Sequence, residues 1–129
     1  MTNTLRTYRT LLGIAAVILI VTGALHATGL PSLSETLADS GLPADWTPVF
    51  KGLWLMFSIH LVIVAGLLIV LAVVPAGRAP LAVTAAMPIA DTVLLLLTVG
   101  VFIGSIMTGM AAVFTVSALI AQPAEASKK

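Results

Sequence analysis

Long apolar runs separated by short polar segments set the pattern of this chain. One run covers about 8–27 and a second about 49–74, and each exceeds or matches the roughly 20 residues that a helix needs to cross a bilayer. From 81 to 121 the only charged residue is Asp91, so this stretch has room for two more spanning helices. Small residues cluster between Gly100 and Gly109, which predicts spans of about 81–100 and 104–121.

Composition supports the same architecture. Of the 129 residues, 60% are hydrophobic and 9% are charged, whereas a soluble domain has about 25% charged residues. The absence of cysteine excludes disulfides, thiolate catalysis and cysteine-ligated metals, and a net charge of +1 argues against nucleic acid. We therefore predict an all-α integral membrane protein with a single transmembrane domain over 1–129, folded as a four-helix up-down bundle.

The polar segment 26–48 predicts a short helix between the first two spans. Ser32 and Glu35 have the spacing of a capping box, and Gly41 follows as a stop signal. The predicted helix is amphipathic and lies at the outer surface. Two interpretations stay open, since the helix either rests on lipid headgroups or covers a cavity of the bundle as a lid.

Charge placement predicts the orientation. With four spans, the two termini and the second connection lie on one side, which has five basic residues, whereas the other side has only Lys51. The positive-inside rule then predicts a multi-pass protein of the plasma (inner) membrane with both termini in the cytoplasm. The five basic residues are Arg6, Arg9, Arg78, Lys128 and Lys129.

The aromatic residues are typical of membrane boundaries. Trp46 falls near the outer boundary and Tyr8 near the inner one, as expected for an interfacial aromatic belt. Trp54 lies further inside the second span, where it is either a belt residue or the wall of a pocket. His26 ends the first span and is either wetted at the interface or placed at the rim of that pocket.

Two ionisable residues lie deep in the predicted spans. His60 is about ten residues from the outer end of its span and Asp91 about eleven from the inner end of its own, which places each roughly 14–16 Å deep. In a core of ~30 Å both lie near the midplane, so antiparallel neighbours would bring them together. Three alternatives stay open. The pair is catalytic, proton-handling or ligand-binding, as ionisable residues within a membrane often are; it is purely structural and clamps two helices; or the two residues do not meet.

A polar stripe follows the third span. Thr84, Asp91 and Thr98 recur every seven residues and share one face, which we predict to point inward and bind ligand. In the second span, Ser58 and His60 lie about 160° apart at ~100° per residue, so they cannot point at one small site. We assign the interior of the bundle to His60.

These residues together predict a cavity that leans toward the outer surface. His60 and Asp91 would form its polar floor, and Trp54 and His26 would bind ligand nearer the rim. A haem ligated by both histidines is disfavoured, because their depths differ by roughly 15 Å. A haem with His60 as the sole axial ligand stays open. No spacing of ligands indicates another metal.

Three stretches carry a resemblance to known families. The run KGLWLMFSIH that ends at His60, the long first loop and the run PIAD that ends at Asp91 resemble small bacterial four-span proteins often labelled DoxX-like, which implies a layout but no activity. The chain is also similar to styrene oxide isomerases and related small membrane isomerases, which share four spans, a long first loop, a bundle histidine and an aspartate in the third span. That similarity implies a haem-bound trimer that opens an epoxide, with His60 and Asp91 as the matching residues.

Three functions follow as hypotheses. The first is a bundle that binds a hydrophobic ligand or cofactor near His60 and Asp91, with isomerase-like chemistry as an extension that leaves open whether the protein is an enzyme. The second is a small proton-coupled transporter in which Asp91 titrates. The third is a structural or accessory subunit of a membrane complex. The expected partners are the lipid bilayer, further copies of the chain and a hydrophobic small molecule.

Overall fold

All regular secondary structure in the described part of the chain is helical. The computed structural model describes residues 3–74 and 76–122, so the predicted tail charges Lys128 and Lys129 lie outside the described residues. The helices are α1 (Asn3–Thr28), α2 (Leu30–Ala38), α3 (Trp46–Val73), α4 (Arg78–Thr98) and α5 (Ile103–Ile120). Four segments are long and apolar enough to cross a membrane, namely α1 continued through α2, then α3, α4 and α5. The prediction of an all-α chain with four such helices is confirmed.

Helix α1 is central to the packing. It contacts α3 and α5 along much of its length, and α4 packs on α5 but touches α3 only sparsely. The buried face of α1 recurs every three or four residues, as one face of a helix must. Its alanines let neighbouring backbones approach closely. Small residues have this role in helices that associate within lipid, where burial of apolar surface does not drive association. This face consists of Tyr8, Leu12, Ala15, Ala16 and Leu19.

Tyr8 corrects the predicted aromatic belt. Its side chain is fully buried, and its hydroxyl donates a hydrogen bond of 3.1 Å to the carbonyl of Leu71 near the end of α3. That carbonyl needs a partner, because the residue four positions on is Pro75, which has no N–H. Tyr8 therefore ties α1 to the end of α3 instead of marking a membrane boundary.

We expect Tyr8→Phe to lower the free energy of unfolding by about 1 kcal/mol, because it leaves the Leu71 carbonyl unpaired while keeping the ring. Unfolding in mixed micelles, followed by circular dichroism, measures this loss. Thr7→Val is the matched control, since the exposed Thr7 hydroxyl bonds only within its own helix. Equal stability of Tyr8→Phe and the parent protein would contradict the assignment.

Helix α2 is present where the sequence predicts it, but it begins differently. Its N-cap is Gly29, and Pro31 lies in the first turn, where a missing N–H has no consequence. Ser32 is therefore inside the helix, and the predicted capping box of Ser32 with Glu35 is wrong. The helix ends before Gly41, whose φ of 70° is a conformation that suits glycine.

The junction of α4 and α5 lies at the start of the predicted small-residue region. Gly100 has φ 90°, so it forms the turn instead of a packing face. The hydroxyl of Ser105 accepts the N–H of Phe102 at 3.0 Å and so caps the start of α5. Gly109 does pack, since a β carbon there would lie 3.5 Å from the methyl of Thr92 on α4.

Candidate functional site

A cavity of about 320 Å³ opens where α1 ends and α3 begins. Its walls come from these two helices, from the end of α4 and from the start of α5. The lining is almost entirely apolar, which is typical of small-molecule sites. Seven of the large apolar lining residues had no predicted role in a site: Leu25, Phe57, Leu95, Val99, Phe102, Ile103 and Met107.

His26 and Trp54 form the aromatic wall of this cavity. Their rings are stacked with centroids 4.0 Å apart and an angle of 16° between the planes. The Nε1–H of Trp54 donates to the carbonyl of His26 at 2.8 Å, and the N–H of Gly29 donates to the same carbonyl at 3.0 Å. The structure therefore favours the pocket alternative for both residues: Trp54 forms a wall of the cavity, and His26 lines it.

Gly29 is required for this arrangement. A β carbon at position 29 would lie 2.8 Å from Cζ2 of Trp54, closer than real β carbons come to any neighbour. The tight link between α1 and α2 therefore leaves room for the indole ring beside the end of α1. Trp46, the other tryptophan, is 52% exposed at the start of α3 and lies 6.2 Å from the ring of Phe50.

His60 and Asp91 are in contact, as one of the open alternatives predicted. Nε2 of His60 lies 3.2 Å from Oδ2 of Asp91. The two side chains are 38% and 14% exposed. The contact joins α3 to α4, two helices that otherwise touch sparsely. Its geometry suits a clamp between helices, and the catalytic role predicted for the pair stays a prediction.

The pair does not form the floor of the cavity. Neither residue is among the described residues that line it, and the apolar Phe57 and Leu95 occupy that position. The ring of Phe57 packs against both histidines, with centroids 5.0 Å from His26 and 6.4 Å from His60. The two imidazoles are therefore closer together than the roughly 15 Å estimated from helix rise. The three-residue spacing of Trp54, Phe57 and His60 is the sequence signal that would have revealed this shared face.

Ser58 corrects the assignment of the helix interior. It is 7% exposed and faces α1, whereas the more exposed His60 faces α4. A β carbon at Gly23 of α1 would lie only 3.0 Å from the carbonyl oxygen of Ser58, so the two backbones nearly touch. The assignment failed because α3 packs most tightly on α1, which the sequence alone does not indicate.

The two threonines predicted to bind ligand do not line the cavity within the described chain. Thr84 is buried, and its hydroxyl donates to the carbonyl of Pro80 at 2.9 Å. Thr98 is exposed, and its hydroxyl donates to the carbonyl of Leu94 at 2.8 Å. The stripe does point inward at Thr84 and at Asp91, whose side chain is 14% exposed, and it fails at Thr98.

A haem does not fit the histidines. Metal-ligating histidines usually coordinate through one ring nitrogen while a carboxylate holds the other. Here Asp91 takes Nε2 of His60, so iron would have to bind Nδ1, the nitrogen nearer the helix backbone. Phe57 packs against both His26 and His60, and Asp91 contacts Nε2 of His60, so the two imidazoles are not arranged around one iron. Among residues 3–74 and 76–122, no group of three potential ligands is placed to hold a metal ion.

The fold and the cavity define a class, namely an all-helical chain with four candidate membrane-spanning helices, as in a multi-pass membrane protein. Comparisons with protein-family models, curated proteins and solved structures find no match. The function must therefore be argued from this chain's own residues.

Proposed function

We propose that this protein is embedded in a membrane and binds a small apolar molecule in the cavity beside His26 and Trp54. The cavity itself carries the proposal, since about 320 Å³ of almost wholly apolar space lies between helices that already bury a core elsewhere. Its size is at the lower end of the ~300–1,000 Å³ of small-molecule sites. It is also about twice the engineered cavity of roughly 150 Å³ that holds benzene. The expected ligand has one or two rings, or a short chain.

The up-down order of the helices is part of this proposal. Tyr8, early in α1, bonds to Leu71 near the end of α3. Nε2 of Gln122, just after α5, bonds to the carbonyl of Ala76 in the connection between α3 and α4 at 2.7 Å. The opposite ends of α1 and α3 meet at Trp54. These contacts support antiparallel neighbours, with the cavity at the end opposite to the start of α1 and the end of α5.

The orientation follows from the same contacts. Arg6, Arg9 and Arg78 belong to the helix ends that Tyr8 and Gln122 bring together, which supports a cytoplasmic location for that end. The cavity then opens toward the outer leaflet of the plasma membrane, from which an apolar molecule can partition. Chemistry at His60 and Asp91 is not part of the proposal, because neither residue is among the described residues that line the cavity.

Narrowing the cavity tests the proposal. We expect Val99→Phe to weaken binding of 4-bromotoluene by at least about tenfold, because the larger ring occupies the space of the ligand. The side chain of Val99 lines the cavity and is also 66% exposed, so the larger ring can be accommodated without unfolding. Val101→Phe is the matched control in the same turn, since Val101 is 80% exposed and is not part of the lining.

The readout uses the two tryptophans of the chain. With Trp46→Phe, Trp54 is the only tryptophan, and bromine bound in the cavity quenches it in a saturable way. With Trp54→Phe, the exposed Trp46 reports only partitioning of the probe into micelle or bilayer, which does not saturate. Unsaturable quenching of Trp54, or equal affinity in the Val99→Phe and Val101→Phe variants, would contradict the proposed site.

A further inference from the structure

The imidazole of His26 is a polar group of the described cavity wall that keeps an acceptor nitrogen free. The hydroxyl of Thr22 donates to the carbonyl of Ile18 at 2.7 Å, and the N–H of Trp54 is taken by the carbonyl of His26. One ring nitrogen of His26 interacts with the backbone of Trp54, and over residues 3–74 and 76–122 no hydrogen bond engages the other. A neutral imidazole offers one donor and one acceptor, so the acceptor nitrogen has unused capacity toward the cavity once the donor is turned to the backbone.

The ring is also held in position. Trp54 stacks on one face of the imidazole, and Phe57 meets it edge-on, at 75° and with centroids 5.0 Å apart. The backbone carbonyl of His26 is fixed by two hydrogen bonds, from Trp54 and from Gly29. Because the ring is already ordered, a ligand that bonds to it loses little further side-chain freedom.

We propose that the cavity selects molecules with an apolar body and a single hydroxyl head, such as an alcohol or a phenol, and that the acceptor nitrogen of His26 binds the head. This inference rests on the proposed function of the cavity. A wholly apolar ligand would displace water from the imidazole without replacing its hydrogen bond, which is unfavourable. A molecule with several polar groups would bury them against apolar walls without partners, which excludes sugars and amino acids.

A pair of probes of equal shape tests the inference. 4-Bromophenol and 4-bromotoluene differ only in a hydroxyl and a methyl group, and both quench Trp54 when bound. Their affinities are measured with Trp46→Phe as the parent and with Trp46→Phe/His26→Phe as the variant. Phenylalanine keeps an aromatic ring against Trp54 but removes both nitrogens. Comparing the preference for the phenol in the two proteins cancels the different partitioning of the probes into the micelle.

We expect the parent to prefer the phenol about tenfold more strongly than the variant does, as one hydrogen bond to a partly exposed group implies. Saturable binding of both probes with the same preference in parent and variant would overturn the inference and leave the apolar cavity standing. Failure of both probes to saturate in the parent would instead remove the proposed function and this inference with it.

A second variant, His26→Gln, is used in case the His26→Phe substitution disrupts the cavity itself. If His26→Phe binds neither probe, His26→Gln in the same parent decides the question, because its amide restores a donor and an acceptor. We expect this variant to bind both probes and to recover most of the preference for the phenol. Binding of 4-bromotoluene without any preference for the phenol in His26→Gln would overturn the assignment of His26 as the head-binding residue.

Discussion

Replacing His60 with leucine is expected to lower the free energy of unfolding by about 2–3 kcal/mol. The change removes the only partner that Oδ2 of Asp91 has among the described residues, Nε2 of His60 at 3.2 Å, and the side chain of Asp91 is just 14% exposed. Loss of one partner of a fully buried pair costs roughly 3–5 kcal/mol in soluble proteins. We expect a smaller loss here because 38% of the His60 side chain is exposed.

Two further variants distinguish the contribution of the His60–Asp91 contact to stability from the effect of each side chain alone. Asp91→Asn keeps a neutral hydrogen bond to His60, so its expected loss is about 1 kcal/mol. The double variant His60→Leu/Asp91→Leu leaves no unpaired polar group between α3 and α4, so its stability should return to nearly that of the parent. Unfolding in mixed micelles gives the free energies of the parent and the three variants, and adding Asp91→Leu completes the cycle that gives the coupling between the two sites.

The outcomes discriminate between the roles predicted for the pair. Recovery in the double variant would show that the loss in His60→Leu comes from leaving Asp91 unpaired, so that the pair fixes the position of α3 against α4 without adding net stability. Equal losses in His60→Leu and the double variant would contradict this expectation and show that the contact itself stabilises the sparse junction of α3 with α4. Proton release coupled to a substrate, present in the parent and absent in Asp91→Asn, would instead support the transporter hypothesis, which remains a prediction.

Gly23→Leu is expected to destabilise the protein by about 3 kcal/mol, because overpacking at a close contact between helices forces backbones apart. A β carbon at position 23 would lie 3.0 Å from the carbonyl oxygen of Ser58 and 3.5 Å from Cβ of Leu61. A backbone atom of α3 cannot move aside as a side chain can, so α3 must shift away from α1. The shift would also separate Trp54 from His26 and weaken probe binding in the cavity.

Gly13→Leu is the control in the same helix. A β carbon at Gly13 has no neighbour within 4 Å, so the larger side chain meets open space. Removing a glycine from a helix interior is itself favourable by roughly 0.5–1 kcal/mol, and the expected change is therefore zero or a small gain. Unfolding in micelles and quenching of Trp54 measure both variants. Equal stability of Gly23→Leu and Gly13→Leu would contradict the close contact between α1 and α3.

Part of the candidate site was predictable because a helix has a constant rise per residue. Counting residues from the ends of the apolar runs placed His60 and Asp91 at similar depths, and the structure brings them together. The same count placed His26 and Trp54 at one end of the helices, where their rings are stacked. Depth along a helix is a local property, so it follows from the sequence.

The faces of the helices were predicted less well. Tyr8 was assigned to an interface and is buried, and the interior was assigned to His60 although Ser58 is the residue packed against α1. The cavity walls at Val99 and Phe102 had no sequence signal that distinguished them from neighbouring apolar residues. Which face of a helix is buried depends on which other helix packs against it.

The sequence by itself determined the all-helical class, the four apolar segments and the similar depths of His60 and Asp91, but it overestimated the separation of His26 from His60. The correct properties depend on the length of the apolar runs and on a constant helical rise. Only the tertiary structure decided that Phe57, and not the pair of His60 and Asp91, lines the cavity beside His26. The reason is that a helix face turned to lipid and one turned to a neighbouring helix are equally apolar, so the hydrophobic pattern does not distinguish them.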